Sequence, residues 1–193
     1  MAQAEIEGPN KIIGLRIRLR KNYILRSLKF RPELTQLGAA EEKLFQDSLE
    51  EAYSLINPSV IFTSFFSDAE NFKEILDELT LSSSHVAALT KKAVAFTLMA
   101  STIGPSLEKR VAELKEKDLA RAFILDAAGS EAAEQSVNFV SRLLKNRAET
   151  RDFRLLKRYS PGYGDWPIEA SRRILSYLPF EKIGISITRS GNM

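Results

Sequence analysis

The residues best suited to chemistry lie in one late segment, residues 158–167, whose sequence is RYSPGYGDWP. Glycine lets a backbone approach a ligand closely or adopt a positive φ, which leaves amide and carbonyl groups available to bind it. The prolines at its two ends reduce the entropy lost when such a loop is held in one shape. Tyr163 is suited to lie flat against a planar base, and Arg158 to bind a carboxylate in forked geometry. Taken alone, this composition favours a structural turn.

The remaining composition excludes several kinds of active site. The 193 residues contain no cysteine, which excludes disulfides, thiolate nucleophiles, iron–sulfur clusters and cysteine-ligated zinc. The only histidine, His85, argues against a histidine-based metal site or a serine–histidine–aspartate triad. We interpret His85, in its serine-rich stretch, as an exposed or packing residue.

Length and composition are typical of a soluble globular protein. We expect a flexible tail at residues 1–11 and a single domain over residues 12–193. Hydrophobic residues make up 44% of the chain, but the longest apolar run, residues 94–100, is far too short to cross a bilayer. No secretory signal is visible at the start, so the sequence predicts a cytoplasmic protein.

Basic residues are concentrated between positions 16 and 31. In residues 15–20 arginines alternate with apolar residues, which predicts a strand with one basic face. A docking face for an acidic partner or a nucleic acid would explain this pattern, as would a charged edge that protects the strand from aggregation. We favour the protective edge, because no aromatic residues or recognition motif accompany the charges.

Periodicity and turn residues predict an α+β fold, a mainly antiparallel twisted sheet with packed helices, without internal repeats. The predicted strands lie at residues 12–19, 60–66 and 93–102, in a short stretch ending near residue 158, and at residues 183–188. The predicted helices lie at residues 22–28 and 39–56, after the serines at 82–84, after the Gly-Pro-Ser turn at 104–106, and at residues 118–148 and 168–178. Gly129 is a candidate break in the long helix.

Residues 158–163 follow the pattern Arg-x-x-x-Gly-Tyr, which resembles the S-adenosylmethionine motif of the activation (reactivation) domain of cobalamin (vitamin B12)-dependent methionine synthase. The run YSPGYGDWP is similar to the version in small, stand-alone members of that family. Other segments resemble family features in the expected order: the opening helix at 24–31, a strand-to-helix turn at 102–108, the long helix at 126–134 and a late strand at 183–188. The resemblance covers residue 22 to the end of the chain.

The resemblance implies an activation domain-like fold and a set of S-adenosylmethionine contacts, with no catalytic residue and no metal ligand. In this sequence the implied contacts are Arg158, Ser160, Pro161, Gly162, Tyr163 and Glu134. A carboxylate at Glu134 suits the sulfonium and ammonium of the ligand, while a solvated helix glutamate, or Glu131 in the same role, remains an alternative. The sequence departs from the family at Arg189, where an acidic residue is expected. The family's N-terminal aspartate has no clear counterpart, Asp68 being one candidate.

The resemblance also implies a mechanism and partners. In the family, a cobalamin oxidised to cobalt(II) is reduced by one electron and then methylated by S-adenosylmethionine, so the protein positions its ligand and supplies no general base. The implied partners are a corrinoid-binding protein or methionine synthase core that carries the cobalamin, and a flavodoxin-like electron donor. Arg16, Arg18 and Arg20 form a basic surface suited to that donor.

Two other classes of function are alternatives to this one. An ordinary methyltransferase would carry a glycine-rich turn after its first strand and an acidic residue one strand later, and neither is present. A non-catalytic interaction module that keeps the fold with lost or weakened ligand binding remains an alternative. Whether the chain is itself an enzyme stays open.

Overall fold

The computed structural model describes residues 7–31 and 36–187. Within them a three-stranded antiparallel sheet and seven α-helices form an α+β structure, which confirms the predicted class. The strands are β1 (Glu7–Ile12), β2 (Ser59–Phe66) and β3 (Ala95–Thr102). The helices are α1 (Lys21–Ser27), α2 (Ala39–Leu55), α3 (Phe72–Thr80), α4 (Ser84–Thr90), α5 (Pro105–Leu114), α6 (Leu119–Glu149) and α7 (Ala170–Ser176), followed by a 3₁₀-helix at Phe180–Ile183.

The described residues divide into two compact units. The sheet unit comprises residues 7–12, 60–100 and 141–187, and the helical unit comprises residues 13–31, 36–59 and 101–140. No helix in the described part of the chain is long and apolar enough to cross a membrane.

The sheet unit is organised around β2, the middle strand of the order β1-β2-β3. Its β-branched and aromatic sequence SVIFTSFF suits a pleated surface that is covered on both faces, and the strand is buried over nearly its whole length. Antiparallel pairing joins Asn10 of β1 to Phe62 and Ile12 to Val60, with an irregularity between Glu7 and Asn10. The core here consists of Ile61, Phe65, Phe72, Ile75, Leu79, Leu98, Leu178 and Ile183.

The helical unit packs α1, α2, α5 and the first two-thirds of α6 around a second core. Gly129 lies inside α6, which continues through it without a break. A Cβ at this position would lie 2.7 Å from Cδ2 of Leu107 and 3.0 Å from Cδ1 of Ile103. The glycine therefore allows a close approach to the residues that begin α5, and the break considered from the sequence is wrong.

The first strand lies earlier in the chain than the sequence predicts. Residues 7–11, assigned to the tail, form β1 together with Ile12, whereas residues 13–20 form no ladder. The predicted alternation is nonetheless present, because Leu15 and Leu19 are buried and the intervening Arg16 and Arg18 are exposed. The N–H of Leu19 donates to the Tyr53 hydroxyl at 2.8 Å, so packing on α2 produces the pattern that strand pairing was expected to produce.

Two further strand predictions fail in the described residues. Residues 153–160 belong to no ladder. Ile183 ends the 3₁₀-helix and Gly184 follows it with φ +77°, donating its N–H to Glu181 at 3.0 Å, so the chain turns where a strand was expected to begin. Thr188, the last residue of that predicted strand, lies outside the described residues. The helix α3 was not predicted, and α7 is shorter than the predicted 168–178.

Candidate functional site

The segment 159–167 is a loop in the sheet unit, closed by its own backbone. Gly162 N–H donates to the Trp166 carbonyl at 2.8 Å, Tyr163 N–H to Ser160 at 3.3 Å, and Trp166 N–H to Tyr163 at 3.1 Å. Gly162 and Gly164 adopt φ of +89° and +61°, a region that favours glycine. The expectation that the loop leaves its amides available to a ligand is therefore wrong for Gly162 and Tyr163.

Asp165 ties this loop to the N-terminus of α4. Its carboxylate accepts hydrogen bonds from the Ser83 hydroxyl at 2.5 Å, the Ser84 hydroxyl at 2.9 Å and the His85 N–H at 3.0 Å. The Ser83 hydroxyl, followed by the His85 N–H, lowers the pKa of Asp165 from 3.8 to about 2. Ser83 also caps the helix directly by accepting the Val86 N–H at 3.0 Å. The contribution of Asp165 to this cap was not predicted.

Trp166 anchors the other side of the loop. Its side chain is buried with Val86 and Ala170, and its indole N–H donates to the Leu79 carbonyl at 3.2 Å. Tyr159 packs against the same cluster, and a Cβ added to Gly164 would lie 2.8 Å from its hydroxyl. The absence of a side chain at residue 164 therefore lets the loop close against Tyr159.

His85 contacts this anchored region as well. It is exposed at the start of α4, and its ring centroid lies 5.1 Å from that of Tyr159. This confirms the interpretation of the only histidine as an exposed, packing residue.

The loop displays the side chains that the family resemblance assigns to the ligand. Tyr163 is 70% exposed, Ser160 and Gly162 are exposed, and Pro161 and Arg158 are half-buried. An exposed phenol ring on a constrained loop, with a guanidinium close to it in sequence, suits a ligand that carries a planar base and a carboxylate. The structure thus places five of the six predicted site residues in one unit.

Glu134, the sixth, lies on α6 in the helical unit. It is exposed, and its carboxylate accepts a hydrogen bond from Asn138 one turn later at 3.4 Å. The alternative, Glu131, is only 6% exposed and is already engaged, because it accepts hydrogen bonds from Arg20 Nε at 2.6 Å and from Gln135 at 2.8 Å. Glu131 is therefore less accessible to a ligand than Glu134.

The ion pair between Arg20 and Glu131 changes the interpretation of the basic surface at residues 16–20. The Arg20 guanidinium carbon lies 3.5 Å from the centre of the Tyr23 ring, and its bond to Glu131 raises the pKa of Arg20. Arg20 therefore holds the segment to α6, while Arg16 and Arg18 remain exposed. Asp68, the candidate counterpart of the family's N-terminal aspartate, is exposed in the turn after β2. Arg189 lies outside the described residues.

Comparison with known proteins adds no relative: no protein-family model and no curated protein matches the chain. A functional assignment therefore depends on the residues of the 158–167 segment and on their geometry.

Proposed function

We propose that this chain binds S-adenosylmethionine through residues 158–163 and supports the reductive methylation of a cobalamin carried by a partner protein, as in the methionine synthase activation domains that its sequence resembles. The observation that carries the proposal is the exposed Tyr163 on a loop held by Asp165 and Trp166. A loop fixed before binding loses little entropy when a ligand docks on it, which favours affinity.

The ligand chemistry matches the side chains that the loop displays. The Arg158 guanidinium would hold the carboxylate of the methionyl group, and the Tyr163 ring would stack on the adenine. Ser160 offers an exposed hydroxyl, while Pro161 and Gly162 shape the turn. Because the amides of Gly162 and Tyr163 bond within the loop, recognition depends on these side chains.

Glu134 is the carboxylate that the resemblance assigns to the ligand. The ligand carries a sulfonium and an ammonium, and an ionised carboxylate forms charge-assisted hydrogen bonds with an ammonium. The resemblance gives this role to Glu134.

The chain's part in the reaction is to position the ligand. The cobalamin belongs to the partner, a corrinoid-binding protein or methionine synthase core, and reduced cobalt is nucleophilic enough to need no general base from this chain. A flavodoxin-like donor supplies the electron, and the exposed Arg16 and Arg18 offer it a basic surface. The proposed location is the cytoplasm, and the proposed fold is that of a stand-alone activation domain.

A second candidate function is a non-catalytic interaction module. The observation that favours it is that the loop's backbone bonds and the Asp165 and Trp166 anchors account for its glycines without any ligand. On this account Tyr163 is an exposed contact for a protein partner.

Methyl transfer distinguishes the two functions. The full chain is mixed with methyl-labelled S-adenosylmethionine and a cobalamin-loaded methionine synthase core under reducing conditions, and label on the cobalamin is counted. We expect transfer with the wild-type chain, a roughly tenfold to hundredfold slower transfer with Arg158→Ala, and wild-type transfer with Arg172→Ala, an exposed arginine of α7 in the same unit. Ligand binding without any transfer would contradict the reactivation role alone, and absence of both would favour the interaction module.

A further inference from the structure

Ile168 exposes an apolar side chain beside the candidate loop. It is 58% exposed, and Tyr163, on the loop itself, is 70% exposed. These are the two exposed large hydrophobic residues between positions 158 and 170. A single exposed apolar residue is common on a protein surface, so the relation between the two decides whether Ile168 has a role.

The hydrogen bonds of the loop bring Ile168 to the residue before Tyr163. The Gly162 N–H donates to the Trp166 carbonyl at 2.8 Å, which joins the two arms of the loop. A Cβ added to Gly162 would lie 3.3 Å from Cδ1 of Ile168 and 4.0 Å from its Cβ. The isoleucine side chain therefore lies against the Gly162 backbone, on the side where any other residue would carry its own side chain. Ile168 and Tyr163 thus expose apolar surface on either side of one glycine.

The backbone of Ile168 is held before any ligand binds. Its carbonyl accepts the Ser171 N–H at 3.0 Å, and the Pro167 carbonyl accepts the Ala170 N–H at 3.1 Å, in the turn that begins α7. Trp166, two residues earlier, is only 6% exposed. A side chain presented from a fixed backbone loses little entropy when a ligand docks on it.

The adenine of the proposed ligand offers more apolar surface than one tyrosine covers. A base that stacks on a single ring keeps its other face and its edges in water, and removing more of that surface from water favours binding. Ile168 is not among the residues that the resemblance assigns to the ligand. It is nevertheless the exposed aliphatic side chain that the structure holds against Gly162.

We infer that Ile168 is a further ligand contact, which covers apolar surface of the adenine ring beside Tyr163 and does not touch the methionyl group. The inference rests on the proposed function for the identity of the ligand. A purely structural role, in which Ile168 only covers Gly162, would make its surroundings insensitive to a purine ring. The two roles therefore differ in a property that can be measured on the wild-type chain.

Nuclear magnetic resonance of the full chain, with the δ1 methyl groups of isoleucine labelled with carbon-13, observes this contact. Ile168→Val removes the δ1 methyl and so identifies its signal. We expect adenosine and S-adenosylmethionine each to shift that signal through the ring current of the adenine, and methionine to leave it in place. Ile13, which is 56% exposed in the helical unit, is the matched control, and its signal should not move.

Calorimetric titration with S-adenosylmethionine gives the second measurement. Ile168→Ser should raise the dissociation constant about three- to tenfold, because apolar contact with the ring is lost. Ile13→Ser should bind as the wild type does. Both variants should keep the wild-type midpoint of thermal unfolding, since both side chains are mainly exposed.

Two results would overturn the inference. One is an Ile168 signal that moves with neither adenosine nor S-adenosylmethionine, and the other is equal affinity of Ile168→Ser and wild type for S-adenosylmethionine. A failure of the proposed function looks different. Binding heat with an unmoved Ile168 signal contradicts the inference alone, whereas a wild-type chain that gives no heat with S-adenosylmethionine contradicts the proposed site itself.

Discussion

The Ser83 hydroxyl donates a hydrogen bond to the Asp165 carboxylate at 2.5 Å, across 82 positions of the sequence. Because the same carboxylate also accepts the His85 N–H, it caps α4 and fixes one side of the loop that carries Tyr163. The ionised Asp165 carboxylate therefore holds one side of the candidate ligand site, while Trp166 anchors the other.

Acid should weaken this connection within a defined pH interval. The folded-state pKa of Asp165 is about 2, below its ordinary 3.8, so the ionised carboxylate stabilises the folded state above pH 3.8 and this contribution is lost as the pH falls toward 2. We expect Asp165→Asn to remove this part of the acid dependence of the free energy of unfolding, measured in urea across that interval. Asp77→Asn, at an exposed position of α3, is the control and should retain the wild-type dependence. An unchanged dependence in Asp165→Asn would contradict the cap.

Trp166 should contribute far more to stability than Tyr163, although both lie in the same loop. Trp166→Ala removes a side chain that is 6% exposed and should cost about 3–5 kcal/mol of unfolding free energy. Trp166→Phe loses the bond to Leu79 and should cost about 1 kcal/mol. Tyr163→Ala should change the free energy of unfolding by no more than about 0.5 kcal/mol. Circular dichroism in guanidinium chloride measures the stability of all three variants. Tryptophan fluorescence would not serve, because Trp166 is the chain's only tryptophan. Equal stability of Trp166→Ala and Tyr163→Ala would contradict the anchoring role.

Gly129→Ala should fail to stabilise α6. Alanine favours a helix over glycine by about 1 kcal/mol, but the added Cβ would lie 2.7 Å from Leu107, a side chain that is 1% exposed. Overpacking of this kind costs about 1–3 kcal/mol, so we expect a net loss of stability in thermal unfolding. When Leu107 is also replaced by alanine, Gly129→Ala should cause a smaller loss of stability than it does in the wild type. A clear gain in stability from Gly129→Ala alone would show that the helices do not approach closely.

Replacing Arg20 alone should lower the free energy of unfolding more than replacing Arg20 and Glu131 together. Arg20→Ala leaves a carboxylate that is 6% exposed without its guanidinium, and we expect a loss of about 2 kcal/mol, less than for a fully buried pair because Arg20 is partly exposed. The double variant Arg20→Met/Glu131→Met removes both charges and should be more stable than Arg20→Ala. Urea unfolding measures both. If the single variant matched wild type, the pair would be an ordinary surface contact.

Elements with a strong local signal were predictable from the sequence. α2, α5 and α6 follow from apolar spacing, α2 and α5 also have glycine or proline at their starts, and β2 follows from its β-branched and aromatic run. α3 was missed although Phe72, Ile75 and Leu79 have helical spacing and are all buried. That spacing is the local signal for this helix.

Alternating segments were harder to interpret, because alternation reports which side chains are buried and not which backbone groups are paired. Leu15 and Leu19 are buried in a segment without a ladder, and Ile183 is buried at the end of a 3₁₀-helix. The contacts that anchor the candidate loop could not be predicted from the local sequence pattern either. The partners of Asp165 and Trp166 lie more than 80 positions away, at Ser83 and Leu79.

Calorimetric titration of the full chain with S-adenosylmethionine shows directly whether residues 158–163 bind this ligand. We expect a measurable binding heat for the wild type, a dissociation constant about tenfold to a hundredfold higher for Arg158→Ala, and one about tenfold higher for Tyr163→Ala, which loses a stacking contact. Arg172→Ala should bind as the wild type does. No binding heat in the wild type, or unchanged affinity in both Arg158→Ala and Tyr163→Ala, would contradict an S-adenosylmethionine site at residues 158–163.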